Sequence, residues 1–402
     1  MPDSNASVRS IGVGMDLGST SGAAFDMVFD ATGNVPIVDF TLLRRHPDVD
    51  GPGLAASDAA DRLILDEAAE LLAAAPAGSV SVIDDAYGAL ALGSGAAGVR
   101  VHQDLITGER ALAANAAALG VTDVRSLTFG PDVVDGARVV LMRLPRSLDR
   151  LAEVAALIAE HADPDVVVVA GGRIKHMSTA MNDVLCEFFD RVDVSHARQK
   201  SRVLFARGPR ATAAPRWPRL EAHPELTVAA HGGAFAGTRI DIGTRLLLTV
   251  LDDAPTAGTA VDLACGTGVI ATALARRGLE VLATDRSAVA ARSARATAAA
   301  NGVADLVRVE QADGLENVTP RSQELVVLNP PFHSDAALST GIAHHLFGDA
   351  ARALAPSGEL WCVWNSHLRY RGALERIVGP TRQIVRNSKF TVTASVRRET
   401  VD

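Results

Sequence analysis

Asn329-Pro330-Pro331-Phe332-His333 follows the apolar run ELVVL (324–328), a combination suited to handling a planar amine. An exocyclic amine on a purine is a poor nucleophile because its lone pair is delocalised into the ring. Two acceptors, the Asn329 side-chain oxygen and the Pro330 carbonyl, would hold its hydrogens and turn the developing lone pair toward an electrophilic methyl group. Proline fixes φ, which stiffens the pair, and Phe332 offers a face on which the base can stack. A plain strand-ending turn is the alternative, since Pro-Pro favours one. His333 either contacts the substrate or packs. The amine becomes acidic once it carries positive charge, so its proton can leave to water and the chemistry requires no strong base.

A second set of residues points to a nucleoside. The stretch VDLACGTGVIATALARRG (261–278) reads as a strand, a turn containing Gly266 and Gly268, and a helix. Glycines are needed where a ligand approaches the backbone too closely for a Cβ. The next strand, EVLATD, ends at Asp285, 17 residues beyond Gly268, where a carboxylate can accept both hydroxyls of a ribose. The glycine turn alone does not separate dinucleotide from adenosyl binding, and Asp262 either satisfies the loop's backbone donors or touches the ligand.

The elements that must position these residues are strands alternating with Ala-rich helices, the pattern of a parallel sheet covered on both faces. It occurs twice. Residues 82–121 and 261–303 share the order strand, small-residue turn, helix, strand ending in Asp, Ala-rich helix, which implies a duplicated doubly wound domain. The first copy reads DDAYGALAL (84–92) in place of the glycine turn and Met142-Arg143-Leu144-Pro145-Arg146 in place of Asn329-Pro330-Pro331-Phe332-His333. One active site per chain follows, with Arg143 and Arg146 either RNA contacts or ordinary surface ions. Pro209, Pro215, Pro218 and Pro224 remove backbone donors and mark a linker. The expected division is an extension over 1–40, a first domain over 41–207, a linker over 208–230 and a catalytic domain over 231–402. Within the extension, MDLGSTSG (15–22) resembles the first phosphate loop of the actin and sugar-kinase ATPase fold, but no second loop stands at a fitting distance, so a surface strand and turn is expected.

Residues 235–400 resemble a class I S-adenosylmethionine-dependent methyltransferase, and the whole chain resembles the ribosomal-RNA guanine-N2 methyltransferases that carry a degenerate N-terminal copy of the domain. The matching residues are FAGTRIDIGTRLLL (235–248), DLACGTG (262–268), Asp285, Ala312-Asp313, NPPFH (329–333), and NSHLRYRGALERIVG with NSKF (365–379, 387–390). In the first half TLLRRHP (41–47), Asp58 to Asp61 and VAGGRIKHMS (169–178) lean toward the large-subunit (23S) branch over the small-subunit (16S) branch. The resemblance implies an α/β fold of two tandem Rossmann-like domains with seven-stranded mixed sheets, and S-adenosyl-L-methionine as cofactor. Asp262, Ala264, Gly266 and Gly268 would then shape the pocket around its methionine part. Asp285 would hold the ribose, Asp313 would accept from the adenine amine, and Phe235, Asp241, Gly243 and Thr244 would close over it, with Asn329 between cofactor and substrate. Ala264 stands where the family pattern often has Gly, and slightly tighter packing is expected there.

Charge distribution fits a polyanion partner only in part of the chain. The net charge is −8, yet residues 1–195 hold 14 Lys and Arg against 28 Asp and Glu, and the rest hold 25 against 19. Arg198, Lys200, Arg202, Arg207, Arg210, Arg216 and Arg219 fall in a stretch without an acid, and 365–398 carries eight bases, Arg369 and Lys389 among them, against Glu375. These read as RNA-backbone contacts or as a solvated linker and tail strand. Apolar runs stay well short of the roughly 18 residues of a membrane span. Cys186, Cys265 and Cys362 lack CxxC spacing, and His344 and His345 have no carboxylate cluster at metal spacing. A reduced, cytoplasmic protein is expected, with no membrane, no metal and no required oligomer. Methylation of an adenine N6 amine or a protein glutamine amide shares the amine geometry, and a non-catalytic RNA-binding assembly factor is the reading from another class.

Overall fold

The short β-branched runs form two sheets of one design. The computed structural model describes residues 38–51, 53–210, 217–256, 258–331 and 336–398, and only the backbone of 336–340. Almost all of the 1–40 extension, MDLGSTSG, Arg216, Phe332 and His333 lie outside the described residues. No helix among the described residues is long and apolar enough to cross a membrane.

The first domain runs α1 (Ala59–Ala74), β1 (Val80–Ile83), α2 (Ala89–Gly93), β2 (Val99–His102), α3 (Ile106–Ala118), β3 (Val124–Ser126), α4 (Pro131–Val134), β4 (Val139–Arg143), α5 (Leu148–His161), β5 (Val167–Arg173), α6 (Thr179–Phe188), β6 (Phe189–Val194) and β7 (Ser201–Pro209). Its sheet has the order β3-β2-β1-β4-β5-β7-β6. The hairpin β8 (Arg219–Ala222) and β9 (Thr227–Ala230) comes next. The second domain runs α7 (Ile242–Leu248), β10 (Thr259–Leu263), α8 (Val269–Arg276), β11 (Glu280–Asp285), α9 (Ala288–Ala300), β12 (Val307–Gln311), β13 (Gln323–Leu328), α10 (Ala336–Ala353), β14 (Leu354–Asn365), α11 (Arg371–Ile377), β15 (Thr381–Arg386) and β16 (Phe390–Val396). Its sheet has the order β12-β11-β10-β13-β14-β16-β15, the same as the first. The duplication inferred from sequence is therefore a duplication of topology.

In each sheet one strand, β7 or β16, runs against the other six and lies between the fifth parallel strand and the edge strand, giving mixed seven-stranded sheets. Central strands such as β4 up to Met142 and the end of β13 are buried on both faces, which is why they read as unbroken apolar runs rather than alternating ones. The order reverses direction at β10, with β11 on one side and β13 on the other. That reversal opens a crevice at the carboxyl ends of these strands.

Much of the expected linker is regular structure. β7 extends to Pro209, and β9 lies along α9, whose Ser293, Thr297 and Asn301 recur every fourth residue on one helix face. Thr297 Oγ1 receives the Ala229 amide and donates to its carbonyl, Ser293 Oγ receives the His231 amide, and Asn301 brackets Thr227. Helix side chains thus replace the neighbouring strand that β9 lacks, a substitution that proline counting does not reveal.

Candidate active site

A cavity of about 680 Å³ lies in this crevice. Parallel registers set Leu263 beside both Thr284 and Leu328, so Ala264, Asp285 and Asn329 emerge from three strands at one edge. All three line the cavity. Gly266 has φ +54°, and a Cβ built there meets no protein atom within 4 Å, so the turn leaves open space in the wall. Gly268 plays another part. A Cβ there would come within 2.8 Å of Ala294, so its absence lets α8 pack on α9, and Gly268 is not in the cavity wall. Ala264 adopts φ +57°, a left-handed conformation costing an L-residue about 1–2 kcal/mol, so strain rather than tighter packing marks this departure from glycine.

Asp262 meets a backbone amide of α8 and is not among the residues that line the cavity. Its side chain is fully buried behind the wall, with Oδ2 accepting the Ala271 amide at 2.8 Å and Oδ1 unpartnered, and burial pushes its pKa up to about 7. Asp285 does line the cavity, its two oxygens accepting from the Gly266 and Ser287 amides at 3.0 and 2.9 Å. Burial raises its pKa against the pull of those two amides. Asp313 also lines the cavity, and its amide donates to Glu316 at 3.0 Å.

Asn329 is held by its nitrogen. Nδ2 donates to Asp241 Oδ2 at 3.2 Å and to Thr244 Oγ1 at 2.9 Å. A carboxylate only accepts, so Asp241 fixes which end of the amide faces it. Oδ1 is left buried, without a partner. Asp241 also caps α7 through the Gly243 and Thr244 amides. Phe235, Asp241 and Thr244 line the cavity, Phe235 half-exposed at its mouth, as do Pro330 and Pro331. Gly243 does not. A Cβ at Gly243 would meet the Phe390 ring at 3.1 Å, so it serves the close packing of α7 on β16.

Sequence reasoning missed part of the wall. Arg239, Arg286, Ser287, Ile342 and His345 contribute, and so do Asp48, Asp104 and Leu105 of the first domain. Only the acid ending the first copy's QD step, Asp104, carried a hint in the sequence.

Comparison with known proteins gives the family and the fold. Residues 225–394 match the methyltransferase small domain family, and residues 36–210 match the RLMG N-terminal domain family. A ribosomal RNA large subunit methyltransferase G of Streptomyces coelicolor is 35% identical over 372 residues, spanning 89% of this chain and 98% of the relative. Its namesake in Pseudomonas aeruginosa is 36% identical over 362 residues, spanning 87% and 96%. The chain belongs to the ribosomal RNA large subunit methyltransferase G family. A solved T. thermophilus 16S rRNA N2 methyltransferase (RsmC), in complex with AdoMet and guanosine, shares the fold at TM-score 0.69 and 21% identity, covering 85% of this chain and 92% of that one.

In this family member the first copy carries other residues at the corresponding positions. Ile83 pairs with His102 and Met142 as Leu263 does with Thr284 and Leu328, so Arg143 stands at the place of Asn329 and Gln103 at that of Asp285. Arg143 is partly buried and pairs with Asp58 at 3.4 Å and Asp61 at 3.3 Å, which is an internal ion pair rather than either role considered for it. Desolvation raises the buried Asp61 to a pKa of about 6 against the pull of Arg143. Asp85 repeats the job of Asp262, accepting the Leu90 and Ala91 amides. Arg146 meets His176 at 3.2 Å on the surface.

The basic stretches are less free than their composition suggests. Arg198 pairs with Asp66, Arg207 with Asp193, Arg210 with Asp190, Arg219 with Asp149, Arg371 with Glu375 and Arg382 with Glu359. Lys200 sits in a tight turn at φ +60°, and Arg202 follows on β7 with its Nε buried and unpartnered. Arg369 and Lys389 lie on two loops joined by the Ser366 amide and the Lys389 carbonyl, beyond the carboxyl end of β14. β14 runs parallel to β13, so these loops share the sheet edge from which Asn329 emerges. None of Arg198, Lys200, Arg202, Arg369 and Lys389 is in the cavity wall.

Proposed function

We propose that this chain transfers a methyl group from S-adenosylmethionine to the N2 amine of one guanine in large-subunit (23S) ribosomal RNA. One observation carries the reading. Asn329, a residue of the cavity wall, carries a buried side-chain acceptor without a partner, and Asp241 and Thr244 orient its amide by holding the nitrogen end. A buried polar atom left unmatched in the free protein is costly, and an incoming amine satisfies it.

The wall fits the cofactor. Open space at Gly266 and the acids Asp285 and Asp313 suit a nucleoside with hydroxyls and an amine to donate. When bound, the cofactor supplies a methyl group on sulfonium, an electrophile. Asn329 Oδ1 and the Pro330 carbonyl accept the two hydrogens of the guanine amine and hold its lone pair out of conjugation. The rigid Pro330-Pro331 step keeps that pair from relaxing away. The charged amine then gives its proton to water, and no residue of the chain need act as a strong base. The target base must leave its stack to reach the cavity. The guanosine and AdoMet of the RsmC complex support this pairing of ligands. A ribosomal-RNA substrate puts the action in the cytoplasm.

Mass-spectrometric mapping of 23S methylguanosines with and without the gene tests the reading. One N2-methylguanosine should vanish on deletion, return with the intact gene, and stay absent with Asn329→Ala. An unchanged N2-methylguanosine pattern refutes it, and new loss of an N6-methyladenosine redirects it to adenine. Calorimetry with S-adenosylhomocysteine separates an enzyme from an assembly factor, which would bind none.

A further inference from the structure

The two acids facing the nucleoside are each held through an intermediary by a residue of the first domain. Asp104, two residues beyond the end of β2, reaches across to the loop that follows Asp285. Its Oδ1 accepts the Val289 amide and its Oδ2 the Ser287 hydroxyl, both at 2.8 Å. Its carbonyl accepts the Ala288 amide at 2.8 Å, and the Ile106 amide donates back to the Arg286 carbonyl at 3.0 Å. Ser287, fixed in this way, donates its own amide to Asp285. A second chain runs in parallel. Arg110 of α3 makes a two-pronged contact with Glu316 at 2.7 and 2.6 Å, and Glu316 in turn accepts the Asp313 amide.

We infer that the degenerate first domain sets the cofactor affinity of the second, with Asp104 and Arg110 as the positioning residues for Asp285 and Asp313. The inference rests on the reading of those two acids as the nucleoside site. Its physical basis is preorganisation. A loop already fixed before binding loses less freedom when the ligand arrives, and the difference appears as affinity. Asp48 adds a third tie, reaching Arg286 at 3.6 Å while accepting the Tyr87 hydroxyl. The first domain has therefore lost a cofactor site of its own while keeping its strand-end loop as a clamp on its neighbour's.

The test uses the full chain and titrates S-adenosylhomocysteine by calorimetry, with steady-state kinetics beside it. Asp104→Ala and Arg110→Ala should each weaken binding by about five- to ten-fold, the scale of losing a helix cap or a charged loop contact. The KM for cofactor should rise alike, while kcat at saturating cofactor and the KM for RNA stay within two-fold. Arg110→Lys, which keeps a cation for Glu316, should recover most of the affinity. The exchange Arg110→Glu with Glu316→Arg remakes the pair between domains but removes the acceptor of the Asp313 amide, and should leave binding weak. Arg138→Ala, on an exposed pair at the far end of the first sheet, serves as the unaffected control. Affinities within two-fold of wild type in both alanine variants would overturn the inference, as would full recovery in the exchange, which would make the contact domain glue. A wild-type chain that binds no S-adenosylhomocysteine would instead overturn the site reading itself, and the inference with it.

Discussion

Asn329 and Asp241 stand 88 residues apart in sequence, and their side chains meet at 3.2 Å, carboxylate against amide nitrogen. This contact fixes which end of the Asn329 amide meets the carboxylate. Asn329→Ala should leave S-adenosylhomocysteine affinity within a few-fold of wild type and lower kcat by roughly a hundred-fold, the scale of removing one positioned polar group. Asp241→Ala should lower kcat less, because Thr244 still holds the amide, and should also cost about 1 kcal/mol of stability through the lost cap of α7. Wild-type turnover in Asn329→Ala would remove the role assigned to it.

The two glycines of the turn should fail in different ways. Gly268→Ala forces a methyl against Ala294 in a left-handed conformation, and should destabilise by about 2–4 kcal/mol in denaturant titrations. Gly266→Ala meets only open space, so strain of about 1 kcal/mol is expected, with cofactor affinity lowered by about ten-fold or more as the methyl fills part of the cavity. Equal melting losses with unchanged affinity in both would contradict this division.

Asp262 makes stability depend on pH in a definite direction. Its carboxyl titrates at 3.8 ordinarily and at about 7 in the fold, raised chiefly by burial. Below the lower value both states hold the proton. Between the two, the unfolded chain releases it while the folded chain keeps it, so the contribution of Asp262 to stability falls as pH rises through this window and levels off above it. Asp262→Asn has no such titration and keeps an oxygen for the Ala271 amide. Its stability relative to wild type should therefore improve from pH 4 to pH 7, read as a difference of urea midpoints at each pH. A difference that does not change with pH would show the side chain to be ionised in the fold.

RNA affinity should fall steeply with salt, because neutralising phosphates releases counterions. Arg369→Ala and Lys389→Ala should each lower the slope of log affinity against log salt by somewhat less than about 1. Arg371→Ala, already paired with Glu375, should change it less. Binding of a ribosomal-RNA hairpin that ignores salt between low and moderate concentrations would discard the phosphate role of these loops.

What could be read from the order of residues was local or repeated. The apolar runs of β10 and β13, the glycines between strand and helix, and the Asn-Pro-Pro step at a strand end are short-range signals, as strand burial, turn conformation and backbone stiffness depend on immediate neighbours. The repeat of the whole pattern was legible for the same reason, and so was the loss of Asn and glycines in the first copy. The hairpin of β8 and β9 was not legible, because its partner is a helix face some seventy residues on.

Sequence by itself therefore determined two doubly wound domains, one of them with a glycine turn between strand and helix and an Asn-Pro-Pro step at a strand end. Tertiary structure alone decided which way the Asn329 amide faces, that Asp262 serves the backbone and not the cavity, and that Asp104 and Arg110 reach partners 183 and 206 residues away. The reason is physical. A side chain's donors and acceptors are set by its type, but the group that meets them across the crevice depends on strand register and domain docking, which the linear spacing of residues does not encode.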